Sequence, residues 1–294
     1  MKDQFVIAYL PTLSVAEHIL PTTLYLAQML NKGIILLHIA DKRYGNDVEE
    51  SMLKALQDSV REEVKQSVGN NANAITVDYC LLRQPTRKAI DTVATVLNGV
   101  IIVAATDPTV KRHDPLYPKE LLSNLSESKI AYLTLPIEWS GCHKQGLSPY
   151  PNAFRHVGLS IDFKKESKEK LVWASYFARF NKSAIEVYFD NYRDSGLKQK
   201  WYNNMKFLTK FFNGLGLTYS PHSVEVGNAV FPETVLQESA AEQCDLFIST
   251  TTDLRARDTL EFFIGTQEMR VIRNVRHLPT LFLNPRDDIY VLCD

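Results

Sequence analysis

Residues 156–190, HVGLSIDFKKESKEKLVWASYFARFNKSAIEVYFD, read as a strand (HVGLSID), a helix (ESKEKLVWASYFARFNK) and a second strand (AIEVYFD). Residues 5–39 repeat that order with FVIAYL, VAEHILPTTLYLAQMLNKG and IILLHIA. Few residues are identical, but element lengths and apolar placement agree, which is the signature of an internal duplication. Both copies continue in step. A polar helix with an apolar stripe follows at 47–67 and at 194–213, where Trp201, Met205, Leu208 and Phe212 recur at helical spacing. A strand comes next, AITVDYCLL in one copy and HSVEVG in the other, then a short helix at 86–97 and at 231–242.

The runs GVIIVAATD and CDLFISTTTD follow, each closing on small hydroxyl residues and an Asp. Continuous apolar runs of this length suit strands buried on both faces. A loop and helix lead to the last strands, IAYLTLP and LPTLFLN. Regular alternation of strand and helix predicts parallel sheets with right-handed crossovers. The expected fold is therefore α/β: two tandem doubly wound domains, each a five-stranded, mostly parallel sheet with helices on both faces. The domains are expected at 1–136 and 155–285, joined by a Pro- and Gly-bearing linker at 137–154, with a tail at 286–294. Pro21 marks either the true first turn of the first helix or a kink.

The chain has 294 residues, 45% hydrophobic and 23% charged, with a net charge of −1. That balance gives no global attraction to nucleic acid or to an anionic membrane. The N-terminal apolar run is too short for a signal peptide, and no segment approaches the length of a membrane span. Cys80, Cys142, Cys244 and Cys293 lie far apart without a CxxC pair, as expected of reduced thiols in the cytoplasm.

Open α/β sheets bind ligands beyond the carboxyl ends of their strands. In the second copy those positions hold Asp162, then Phe189 and Asp190, then Thr250 to Asp253, and finally Gly265-Thr266 in FFIGTQEMRVIRNVRHLPTLFLN, residues 262–284. The first copy offers Leu10-Pro11 where the second has Asp162, with Leu10 read as the replacement for the Asp; its final helix, near PLYPKELLSN, has no glycine. Only the second copy thus presents the chemistry of a polar ligand site.

This element order, with IILLHIAD as second strand and GTQEMRVIRNVRHLPTLFLN as final helix and strand, resembles a tandem universal stress protein over nearly the whole chain. Nucleotide-binding members of that family carry an Asp after the first strand and the motif Gly-x2-Gly-x9-Gly-Ser/Thr. The resemblance therefore implies ribose contact at Asp162 and phosphate contact at Gly265 and Thr266. Thr252 and Arg255 stand where the first two glycines belong, and the first copy lacks the motif. Glycine lets a backbone approach an anion closely. A lone helix-terminus charge interaction is worth only about 0.3–1 kcal/mol. The site expected from Asp162, Phe189, Thr252, Arg255, Gly265 and Thr266 is consequently a weakened one for ATP or AMP. Arg255 and Arg257 are alternative anion ligands, and Gly265 serving only a tight turn is the alternative to any site.

Other chemistry has little support. GxGxxG, GxxxxGK[ST] and GxSxG are absent. His38 reads as a satisfied core histidine, and Cys142-His143 has no second ligand pair. Asp162 with Lys164 and Lys165 forms either an ion cluster or a solvated loop in which Asp162 or Ser167 caps the helix. Arg270, Arg273 and Arg276 on one helix, and Lys198, Lys200, Lys206 and Lys210 on another, read as solvated faces rather than a single-strand nucleic-acid groove.

The expected function is a non-enzymatic sensor or interaction module. The alternatives are a genuine ATP-binding member with slow or no hydrolysis and a ligand-free scaffold. In the resembled family, domains pair through their last strands. That implies an intrachain pseudo-dimer across 131–135 and 279–283, sealed by the tail strand IYVL; a homodimer, a protein partner and a lipophilic ligand between the copies stay open.

Overall fold

The computed structural model describes residues 4–40, 46–68, 75–83, 89–111, 114–118, 121, 130–139, 154–162, 167–190, 194–224, 235, 244–250 and 278–283. The chain divides into two units, Met1–Pro151 and Asn152–Asp294.

In unit 1, β1 (Phe5–Leu10) leads through a 3-10 turn (Leu13–Val15) into α1 (Ala16–Leu30). Then come β2 (Gly33–Ile39), α2 (Asn46–Val68), β3 (Val77–Leu82), α3 (Ala89–Val96), β4 (Gly99–Thr106) and β5 (Ala131–Pro136). The strand order is β3-β2-β1-β4-β5 and every neighbouring pair is parallel. In unit 2, β6 (His156–Ile161) is followed by α4 (Ser167–Tyr176), a π turn (Phe177–Asn181), β7 (Ala184–Asp190), α5 (Ser195–Gly214), β8 (Ser220–Val224), β9 (Leu246–Thr250) and β10 (Thr280–Leu283). The order is β10-β9-β6-β7-β8, again all parallel. Both sheets therefore have the doubly wound arrangement, with a switch point beside the first strand of each copy.

The apolar runs behave as their composition requires. Val6, Ile7, Ala8 and Leu10 of β1, and Ile101 to Ala104 of β4, are almost wholly buried, as are Leu246, Phe247 and Ile248 of β9. In α2 and α5 only one stripe is covered, so Leu208 and Phe212 are buried while Tyr202 is exposed.

The duplication is exact in register at the start of each copy. Leu10 pairs with His38 in unit 1, and Ile161 pairs with Phe189 in unit 2. The first helix begins at Ala16 after a strand ending at Leu10, and at Ser167 after one ending at Ile161. Both helices close on a left-handed residue, Asn31 (φ 53°) and Lys182 (φ 57°). This register corrects one expectation: Pro11, not Leu10, stands at the position of Asp162.

Three other boundaries differ from the sequence reading. Pro21 lies inside α1 rather than in its first turn. The 3-10 turn ahead of Ala16 already brings the chain into helical geometry, so the helix begins before the proline. The helix of unit 2 is α only to Tyr176 and then widens into the π turn. β8 starts at Ser220 and includes Pro221, which an outermost strand of the unit tolerates because one side of its ladder is unused. The helix expected at 231–242, the final helices of both copies and the tail fall outside the described residues, save isolated positions.

Asp245 fastens the amino ends of β6 and β9. Its carboxylate accepts the backbone N–H groups of Arg155 (2.7 Å) and His156 (2.9 Å). Removing it in Asp245→Ala should cost about 1–3 kcal/mol, because those donors lose their partner. Burial raises the Asp245 pKa above its usual 3.8. The folded state thus holds this proton more tightly than the unfolded chain. The wild type's advantage over Asp245→Ala should be greatest below pH 3.8 and shrink as pH rises through the folded pKa. Hydrogen-exchange protection of the β6 peptides in both proteins across pH 3–7, corrected for the intrinsic pH dependence of exchange, measures this; a flat or rising difference would contradict the assignment.

Candidate functional site

Unit 2 gathers polar and aromatic side chains at the carboxyl rim of its sheet. Asp162 directly follows β6, and Asn204 of α5 donates from Nδ2 to its backbone carbonyl at 2.7 Å. Asn204 is buried, so this bond fixes the turn that carries the Asp162 carboxylate. Phe189 and Asp190 are the last two residues of β7 rather than residues beyond it. Asp190 is buried, and the Phe189 ring lies 5.3 Å from that of Trp201 on α5.

The indole Nε1–H of Trp201 is buried and has no hydrogen-bond acceptor among the described residues. Buried donors are nearly always satisfied, and an orphan costs about 1–3 kcal/mol. An acceptor atom entering beside Phe189 would relieve that cost. At the neighbouring strand, β9 ends in Ser249, which is buried, and Thr250. Lys170 of α4 donates from Nζ to Ser160 Oγ at 3.3 Å, with only 1% of the residue exposed.

Of the residues expected to form the site, the fold brings Asp162 and Phe189 to adjacent strand ends. Thr252, Arg255, Gly265 and Thr266 lie outside the described residues, as do Arg257, Lys164 and Lys165. Ser167 is the first residue of α4. Sequence reasoning missed Lys170, Asn204 and the Trp201 N–H. Trp201 was read purely as core stripe, and the charged run around Lys170 resembles a solvated helix face.

The rim of unit 1 is differently made. At the position of Phe189 stands His38, whose Nδ1 donates to the Leu10 carbonyl at 2.6 Å. Its Nε2 faces Glu49 Oε1 of α2 at 3.5 Å, without hydrogen-bond geometry. As expected of a core histidine, His38 is buried with Nδ1 hydrogen-bonded, while Nε2 has no hydrogen bond among the described residues. Tyr9, one residue before Leu10, is buried and its phenol pKa is pushed up by desolvation. Among the described residues no group of three or more His, Cys, Asp or Glu is placed to hold a metal ion. No described helix is long and apolar enough to cross a membrane. Among the described residues Cys80 and Cys244 are not in disulfides, and burial raises the pKa of Cys80.

No family model matches the sequence, and no curated protein matches it either. Solved structures do match. The chain is similar to a universal stress protein from Archaeoglobus fulgidus DSM 4304, with a TM-score of 0.64, 15% identity and 98% of each chain covered. It is also similar to a protein assigned as a universal stress protein from Pseudomonas aeruginosa UCBPP-PA14, with a TM-score of 0.61 at 14% identity, covering 99% of this chain and 96% of that one. A protein of unknown function from Pseudomonas aeruginosa PAO1 matches with the same TM-score of 0.61 at 14% identity, over 98% and 95% of the two chains. At this identity the likeness is one of fold: the chain carries the universal-stress fold in two tandem copies.

Proposed function

We propose that this protein is a non-catalytic sensor or interaction module in which unit 2 binds an adenine nucleotide weakly at its carboxyl rim and unit 1 serves as a structural copy. The observation that carries the reading is the rim of unit 2, where Asn204 holds the Asp162 turn and the buried Trp201 N–H has no acceptor among the described residues. Asp162 offers a carboxylate to ribose hydroxyls. The Trp201 N–H offers a donor to a ring nitrogen of the base, and the half-buried Phe189 offers an apolar wall. A ligand of this kind would give the Trp201 N–H an acceptor. Unit 1 has Pro11 where Asp162 stands and a His–Glu pair in place of the aromatic wall, which supports a structural role.

A thermal-shift series with AMP, ADP, ATP and cyclic nucleotides tests the proposal. A ligand at 100 times its Kd adds about 2.7 kcal/mol, on the order of 5–10 °C in Tm for a unit of this size. The shift should disappear in Asp162→Ala. A protein unmoved by every nucleotide would be a ligand-free scaffold.

A further inference from the structure

On α5, Lys198, Tyr202, Lys206 and Lys210 follow one another at four-residue intervals, and all four are exposed. Successive members of this row lie about 6 Å apart along the helix axis. The buried residues Asn204, Leu208 and Phe212 form a second row, two positions out of step. Two positions turn a helix by about 200°, so the lysine row follows the crest that faces away from the core. Tyr202 stands between Lys198 and Lys206 with 57% of its surface exposed. No Asp or Glu occurs from Ser195 to Tyr219. Asp194, just ahead, is engaged as the helix cap and accepts from the Leu197 N–H at 2.8 Å. Among the described residues none of the three lysines has a carboxylate partner.

The second helix of unit 1 supplies an internal comparison. α2 interleaves both signs, and its cations are paired: Lys54 with Glu50 at 3.0 Å, Arg61 with Asp58 at 3.4 Å, and Lys65 with Glu62. An exposed helix of this fold can thus balance its own charge, which is all that solubility asks of it. α5 does not. The chain as a whole carries only −1, so any attraction to an anion is local to this crest.

We infer that the ridge of Lys198, Tyr202, Lys206 and Lys210 is a docking face for an anionic lipid bilayer. A surface of one sign complements a surface uniformly of the other, which is what a leaflet rich in acidic phospholipid presents. Protein surfaces mix the two signs, and lysine is depleted from protein interfaces. Lysine is a hydrated point charge on a flexible stem, suited to diffuse attraction rather than to bidentate recognition of one anion. Tyr202 adds an aromatic ring with a polar tip, the kind that sits at headgroup level. A single nucleic-acid strand calls instead for a groove lined with stacking rings. Phe207 and Phe211 are half-buried and stacked on each other at 5.9 Å, with Lys168 over Phe207 at 4.9 Å. Among the aromatic residues of α5 only Tyr202 is exposed. The crest, about 18 Å from Lys198 to Lys210, is convex and suits a flat partner. This inference is independent of the nucleotide reading.

Co-sedimentation of the full chain with vesicles tests it, comparing phosphatidylcholine alone with phosphatidylcholine carrying phosphatidylserine. The wild type should pellet with the anionic vesicles and not with the neutral ones, and should be released as salt shortens the screening length. Each lysine near such a surface is worth about fivefold in partitioning. The double variant Lys198→Glu, Lys206→Glu should therefore bind at least about tenfold more weakly. The double variant Lys54→Glu, Lys65→Glu changes the net charge equally from α2 and should bind like the wild type. Equal retention of the wild type by the two kinds of vesicle, or equal losses in the two double variants, overturns the assignment. So does a wild type that ignores anionic vesicles and binds a single-stranded oligonucleotide. The wild-type comparison needs no variant, so a poorly folded one still leaves a decisive result.

Discussion

Replacing His38 with phenylalanine should destabilise unit 1 by about 1–3 kcal/mol, because the buried Leu10 carbonyl loses its donor. The Leu10 carbonyl can only accept, so His38 Nδ1 carries a proton and the opposite nitrogen meets Glu49. Both residues are almost fully buried. The pair therefore binds the end of β2 to the first turn of α2. Phenylalanine fits the backbone, since Phe189 occupies the same register in unit 2. The loss is thus one of polar pairing rather than of space. A hydrocarbon ring leaves the Leu10 carbonyl without its donor and sets the Glu49 carboxylate against an apolar face. Adding Glu49→Leu should recover part of the loss, with a coupling energy of about 1–3 kcal/mol in a double-mutant cycle. Unfolding of a two-unit chain is not two-state, so the readout should be local: hydrogen exchange in peptides spanning β2. A single variant as protected as the wild type, or strictly additive effects, would show that the pair contributes nothing.

The His38–Glu49 contact also shows what a sequence reading can reach. The repeat was legible because strand and helix lengths, and the placement of apolar residues, are set by local periodicity. FVIAYL and HVGLSI keep the same register against their partner strands although almost no residue is shared. Pairing across elements was not legible. Glu49 lies in a helix whose pattern assigns it to the first polar turn, and only the path of the chain brings it under His38. Lys170 was hidden for the same reason. In FKKESKEK it is one of several charges, and nothing local separates it from Lys164 or Lys165. Its burial follows from α4 lying over the switch point. Asn204 sits in a polar helix and became meaningful only when its amide met the Asp162 carbonyl. The place of Asp162 could be read from sequence because it depends on one local fact, the end of the strand before it. The Leu10 alignment failed by a single residue, since β1 and β6 differ in their outer residues and only pairing with β2 and β7 fixes the offset.

Phe154→Ala should destabilise unit 2 by about 3–5 kcal/mol, as large-to-small changes at buried aromatics do. The residue is the last of the stretch read from sequence as a linker, yet it is fully buried. Its ring meets that of Phe177 edge to face, 5.8 Å between centroids. Such aromatic pairs add about 0.5–1.5 kcal/mol beyond their buried area. The backbone is equally committed. Phe154 has φ 57°, a left-handed conformation that a bulky residue adopts only when its surroundings compel it. Its carbonyl accepts from Asn181 Nδ2 at 2.8 Å and from the Ser183 hydroxyl. Phe177 and Asn181 are the first and last residues of the π turn. Phe154 therefore joins the entry to β6 with the irregular end of the first helix, through its ring at one point and its carbonyl at the other. Alanine keeps the carbonyl contacts but opens a cavity against Phe177, whereas Asn181→Ala keeps the ring and removes one donor. The ring loss should exceed the donor loss, which is expected at about 1–3 kcal/mol. Protection in peptides spanning β6 and β7 reads both effects. If Phe154→Ala loosened neither strand, the aromatic contact would be a surface decoration rather than part of the core, and the π turn would need another explanation.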